Sequence, residues 1–195
     1  MKFIHNTYKK MLDEDSLNIA RDFLDTEKEF LSCKLNLFKH YKQAVVVGCG
    51  DYNYYELIKA TNLSYLGIDP LATRGECPQL IKTTFEEYLT QRDGDENKIF
   101  IFWFNVISHL NMDLIEKSQG IRKGDLIINS TWRTKNTSRN LLEQYYSSIL
   151  PHHQKNIFNA DVILSRKRSI KGMLRSDSGF STQTKNNNLF EVAII

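Results

Sequence analysis

The sequence predicts an α/β fold: a mostly parallel sheet with helices on both faces and a terminal antiparallel strand. Three observations predict it. Strand-like and helix-like segments alternate from residue 44 to residue 150, as in a parallel sheet built with right-handed crossovers. A β-branched run, AVVV at 44–47, stops at a glycine turn and gives way to a helix-like stretch. Two further strand-like segments then follow each other with only a polar loop between them, which points to a final antiparallel pair on the sheet edge.

Composition sets the frame. The 195 residues suit one domain with a full core. Hydrophobic content of 41% and charged content of 25% fit a soluble globular chain. A net charge of +3 is too mild to imply nucleic acid by itself. Cys33, Cys49 and Cys77 are odd in number and widely spaced, so neither a disulfide framework nor a metal site is expected. The opening residues, MKFIHNTYKKMLDED, turn polar too early for a signal peptide. The longest apolar run, IFIFWF at 99–104, is too short to span a bilayer. The expectation is a cytoplasmic protein with no membrane contact. Nothing in the sequence indicates an oligomeric state.

The elements follow in order. Residues 16–38 predict a helix, with Ala20, Phe23, Leu24, Phe30, Leu31, Leu35 and Phe38 at helical spacing and Ser16 able to cap it. Residues 1–40 are expected to form an N-terminal helical lid or cap, and 41–195 the main domain. AVVV reads as a buried parallel strand. Asn53 and Glu56 resemble a capping box opening a helix at NYYELIKA. SYLGID at 64–69 is the second strand, stopped by Pro70, and QLIKT at 79–83 a weak third. TFEEYL follows as a short helix. KIFIFWF at 98–104 is the fourth strand, buried on both faces, and 111–119 a helix. GDLIINSTW at 124–132 is the fifth strand, and 138–150 a helix ended by Pro151. The last strands are expected at 156–165 and 189–195, around a polar loop at about 169–188.

The chemistry concentrates at the glycine turn. Gly48 and Gly50 let the backbone approach a ligand closely, and a following helix offers free N–H groups. Asp69 ends the next strand, where a carboxylate can accept hydrogen bonds from both hydroxyls of a ribose. Pro70 holds Asp69 extended. A dinucleotide site would need glycine at position 53, where Asn53 stands.

These residues resemble a family, the class I S-adenosylmethionine-dependent methyltransferases, over roughly residues 40–195. VVVGCGDYN looks like the family's first motif, YLGIDP its second, NVISHL at 105–110 the segment after its fourth strand, and LFEVAII its seventh strand. The resemblance implies a Rossmann-like seven-stranded sheet that binds S-adenosyl-L-methionine and releases S-adenosyl-L-homocysteine. It implies cofactor contacts at Gly48, Cys49, Gly50, Tyr52, Asp69, Pro70, Leu71, Thr84, Phe85 and Asn105. The sequence departs from the family at three places. Val46 stands for the first motif's acid, Tyr52 for its last glycine, and Thr83 or Thr84 for an acid after the third strand.

His109 follows the fourth strand and is a candidate general base, since imidazole titrates near neutral pH. Trp132 and Arg133 end the fifth strand; with Tyr8 and His109 they are the candidates for substrate contact. The implied activity is methyl transfer to a nitrogen or oxygen of a small molecule. The alternatives are an RNA, DNA or protein methyltransferase, and a non-catalytic binding or scaffold protein of the same fold. The first is opposed by FNVISHL, which stands where base-amine enzymes carry an Asn/Asp-Pro-Pro-aromatic motif. Its one support is the basic cluster Arg166, Lys167, Arg168, Lys171 and Arg175.

Overall fold

The computed structural model describes residues 19–50, 54–71, 79–104, 106–132, 140, 142–144, 183–186 and 190–194. Five parallel strands form its centre: β1 (Gln43–Val47), β2 (Ser64–Ile68), β3 (Leu80–Ile81), β4 (Ile99–Phe102) and β5 (Leu126–Trp132). They lie in the order β3-β2-β1-β4-β5, each paired parallel with its neighbour. Val45 opposes Leu66 on one side and Phe100 on the other. Such central strands are covered on both faces, which explains their continuous apolar runs.

Alternate residues serve the two faces. Ala44, Val46, Ile99, Ile101 and Ile128 face one core cluster. Leu24, Phe30 and Leu31 of helix α1 (Ile19–Lys34) and Ile58 of helix α2 (Tyr55–Lys59) close it. Val45, Val47, Phe100, Phe102 and Ile127 face the other. There helix α3 (Phe85–Thr90) supplies Phe85 and Leu89, and helix α4 (Met112–Ser118) supplies Ile115. α1 therefore shares a core with the sheet. Among the described residues no helix is long and apolar enough to cross a membrane.

Several boundaries differ from the sequence expectations. The first helix stops at Lys34 and tightens into a 3₁₀ stretch, Leu35–His40. α2 has Tyr54 as its N-cap, with no side-chain cap bond, and the Asn53 expected to cap it lies outside the described residues. A capping box is formed at α3, between Thr84 and Glu87. β4 ends at Phe102 because Phe104 adopts a left-handed φ of 49°, which a strand cannot continue. The polar stretch expected as a loop at 169–188 contains a strand, β6 (Gln183–Asn186). β6 pairs antiparallel with β7 (Phe190–Ile194), which pairs antiparallel with β5. The strand expected at 156–165 lies outside the described residues.

The end of the sheet away from the strand tips is fastened by a buried ion pair. Arg92 donates to both oxygens of Asp125, with Nη2 2.8 Å from Oδ1. It also donates to the carbonyls of Gly120 and Glu96. Asp125 additionally accepts from the N–H groups of Lys98 and Arg122. Such a carboxylate, with every side engaged, binds β5 to the chain before β4.

Candidate functional site

The carboxyl ends of the parallel strands converge on the glycine turn. Gly48 and Gly50 have φ of 65° and 50°, conformations that favour glycine. Gly48 also lies against the segment that follows β4. A Cβ there would stand 2.7 Å from a methyl group of Val106. The N–H of Gly48 reaches back to the Ile68 carbonyl at 2.7 Å, tying the turn to the end of β2. Cys49 is buried, and a Cβ on Gly67 of β2 would come within 2.8 Å of its sulfur. A side chain at 67 would crowd that sulfur, so glycine there lets β2 lie close under the turn.

Asp69 joins this turn directly. Its Oδ2 accepts the Gly50 N–H at 3.0 Å, and its Oδ1 accepts the Leu71 N–H at 2.8 Å. A carboxylate has about four acceptor positions, so each oxygen keeps a lone pair for a further donor. A bent backbone with left-handed glycines and a half-buried carboxylate thus share the carboxyl end of β1 and β2. That pairing suits a ligand bearing vicinal hydroxyls.

The β4 and β5 tips add a second cluster. Phe104 N–H donates to Ser130 Oγ at 2.9 Å and to Glu27 Oε1 at 2.7 Å. Glu27 also accepts from the hydroxyls of Ser130 and Tyr54. It is fully buried, and burial pushes its carboxyl up to about 7 against the pull of these hydrogen bonds. The Tyr54 ring packs on Trp103, centroids 5.1 Å apart. Among the described residues, Trp103 Nε1 and Thr131 Oγ1 are buried and meet no hydrogen-bond partner. Among the described residues no group of His, Cys, Asp or Glu is placed to hold a metal ion.

No protein-family profile matches the sequence, and no curated protein matches it. Solved structures match in shape. The plantazolicin methyltransferase BamL, in complex with a triazolic desmethylPZN analog and SAH, gives a TM-score of 0.60 at 11% identity. The match covers 93% of this chain and 71% of that one. The plantazolicin methyltransferase BpumL in complex with SAH gives 0.55 at 13% identity, covering 97% and 88%. The methyltransferase domain of a bacterial Hen1 gives 0.50 at 14% identity, covering 86% and 97%.

The chain has the class I S-adenosylmethionine-dependent methyltransferase fold. Within this methyltransferase fold the residues singled out from the sequence fall into groups. Gly48, Cys49, Gly50, Asp69 and Leu71 are brought together, with exposed Pro70 beside them. Thr84 and Phe85 serve α3. The Thr84 hydroxyl caps that helix, and Phe85 is buried edge-on to Phe100 and Phe102, centroids 5.4 and 5.1 Å away. His109 is exposed at the end of a 3₁₀ turn, Val106–His109. Trp132 is placed by its backbone in β5, opposite Phe190. Tyr8, Tyr52, Asn105 and Arg133 lie outside the described residues, as does the basic cluster at 166–175. Tyr54, the N-cap of α2, packs on Trp103, and Tyr55 within α2 lies edge-on to Tyr65 at 5.3 Å.

Sequence reasoning missed Glu27, Ser130 and Val106. The signal for Glu27 was available. It stands three residues after Leu24 and four before Leu31, in the middle of the apolar stripe of α1. A carboxylate there either ruins the helix face or has donors waiting for it.

Proposed function

We propose that the chain is an S-adenosylmethionine-dependent methyltransferase acting on a nitrogen or oxygen of a small molecule. The observation that carries this reading is the Gly50–Asp69 hydrogen bond, which holds turn and acid at one crevice of a methyltransferase fold. Asp69 would take the ribose hydroxyls, and the Gly48–Gly50 backbone the methionine end. Tyr52 and Asn105 would complete the cofactor contacts, with Cys49, Pro70 and Leu71 flanking them. Thr84 and Phe85 would act from behind, through the placement of α3. When bound, the cofactor supplies an already activated methyl group. The protein's part is to align the acceptor, where alignment contributes roughly 7–11 kcal/mol in favourable cases. His109 would remove the acceptor's proton, and Tyr8, Trp132 and Arg133 would orient it.

We read residues 1–40 as a cap segment, with α1 packed into the sheet's own core, and 41–195 as the Rossmann-like domain. The C-terminal pair is read as completing the family's seven strands, with β7 as the terminal antiparallel one. The neighbours BamL and BpumL, as plantazolicin methyltransferases, support a small-molecule or peptide acceptor. The Pnkp1/Rnl/Hen1 RNA repair complex, TM-score 0.51, keeps RNA as the second reading. The absence of a disulfide framework from the sequence supports a cytoplasmic location.

Titration calorimetry with S-adenosylhomocysteine tests the proposal. Wild type should bind, and Asp69→Ala should weaken binding by about two orders of magnitude or more, given roughly 1.5–3 kcal/mol per charge-assisted bond. No heat change at high protein concentration would favour a scaffold. A salt-dependent complex with RNA would favour the second reading.

A further inference from the structure

We propose that Glu27 is a positioning residue of the ligand crevice, its carboxylate tying the N-terminal helix to the β4 tip, the β5 tip and the start of α2. The proposal rests on the methyltransferase reading for the ligand's identity, but not for the geometry.

Three features carry it. First, the partners of Glu27 come from three separate elements that meet at the crevice: Phe104 after β4, Ser130 in β5 and Tyr54 just past the glycine turn. Second, Phe104 holds a left-handed backbone, unusual for an aromatic residue. Its N–H is clamped by Glu27 and Ser130 together. That bend decides where the chain leaves β4 and therefore where Val106 meets Gly48. Third, a carboxylate is an expensive choice for this place. Glu27 is fully buried, and among the described residues no basic side chain pairs with it. A leucine would continue the apolar stripe without desolvating a charge. The groups acting on Glu27 are the Tyr54 phenol from the α2 start and, weakly, Lys28 from its own helix. The strand tips contribute an N–H and a hydroxyl. Since Glu27 has no exposed surface, it acts through these neighbours and does not touch ligand.

The test uses the full chain, with folding checked by circular dichroism. Calorimetry with S-adenosylmethionine and with S-adenosylhomocysteine compares wild type, Glu27→Leu and Glu27→Gln. Glu27→Leu should weaken both ligands alike, at least tenfold. Glu27→Gln should stay within about threefold, because its carbonyl oxygen can still accept from Phe104 and Ser130 and its amide can donate to the Tyr54 oxygen. A folded Glu27→Leu that binds within twofold of wild type overturns the proposal. So does a loss confined to S-adenosylmethionine, which would mean a direct charge effect on the sulfonium. Should Glu27→Leu not fold, Tyr54→Phe and Ser130→Ala decide: a few-fold loss in each is expected, and unchanged affinity in both overturns it.

Trp103 emission gives a readout free of ligand, since the Trp103 ring lies on Tyr54. In a Trp132→Phe background the emission should shift with Glu27→Leu and not with Glu27→Gln. If wild type binds neither ligand, the methyltransferase reading falls, and this emission alone decides. A shift supports the tie, and an unmoved spectrum refutes it.

Discussion

Glu27 sets a pH dependence whose sign can be worked out. Unfolded, its carboxyl ionises near 4.5; folded, near 7. Between these values the native state holds a proton that the unfolded chain has released. Stability therefore falls as pH rises from about 4.5 to about 7 and is level above that. The drop is roughly 3 kcal/mol, taking 1.36 kcal/mol per pKa unit. Urea denaturation at pH 5 and pH 8 should show it, and Glu27→Gln should remove this contribution. Gly48 is constrained from two sides. A side chain there would strain the φ of 65° and press on Val106. Gly48→Ala should cost roughly 2–4 kcal/mol in the same assay. The first of these residues was hidden and the second legible, for a physical reason. A glycine after a β-branched run announces a tight turn locally. The donors to Glu27 lie 27, 77 and 103 residues along the chain, and no local pattern points to them.

Elements were legible where burial was one-sided or complete. The apolar runs at β1 and β4 could hardly be anything but central strands, and the 3.6-residue spacing of α1 survives in its buried Leu24, Phe30 and Leu31. β3 was faint in the sequence because it is only two residues long and half exposed. The end of β4 was misjudged because nothing in FWF forbids two more strand residues; the left-handed Phe104, its N–H held by Glu27 and Ser130, is invisible in the sequence. The capping box at α3 was missed, although Thr84 and Glu87 stand at the right spacing and make both reciprocal bonds. Those bonds also hold the Glu87 carboxyl below the usual glutamate range, the backbone bond from Thr84 foremost. Thr84→Ala should therefore lower stability by about 1 kcal/mol, measured by thermal melting.

Across the molecule, the two ends of the sheet differ in kind. The carboxyl end gathers turns, a titrating acid and a strained backbone. The other end is closed by Arg92 and Asp125, whose partners come from residues 92 to 125 of the chain. Asp125→Ala would strand a buried guanidinium and should destabilise the fold by about 3–5 kcal/mol in chemical denaturation. Affinity for S-adenosylhomocysteine, measured where the variant remains folded, should be little changed. The pairing was beyond sequence reasoning, since each residue alone reads as an ordinary surface charge. The wedging of Cys49 over Gly67 has a practical outcome of its own. Cys33 is exposed and should react promptly with an alkylating reagent, whereas Cys49 is shielded. With Cys33 and Cys77 replaced by serine, the alkylation rate of Cys49 becomes a clock for how often the floor beneath the glycine turn lifts away.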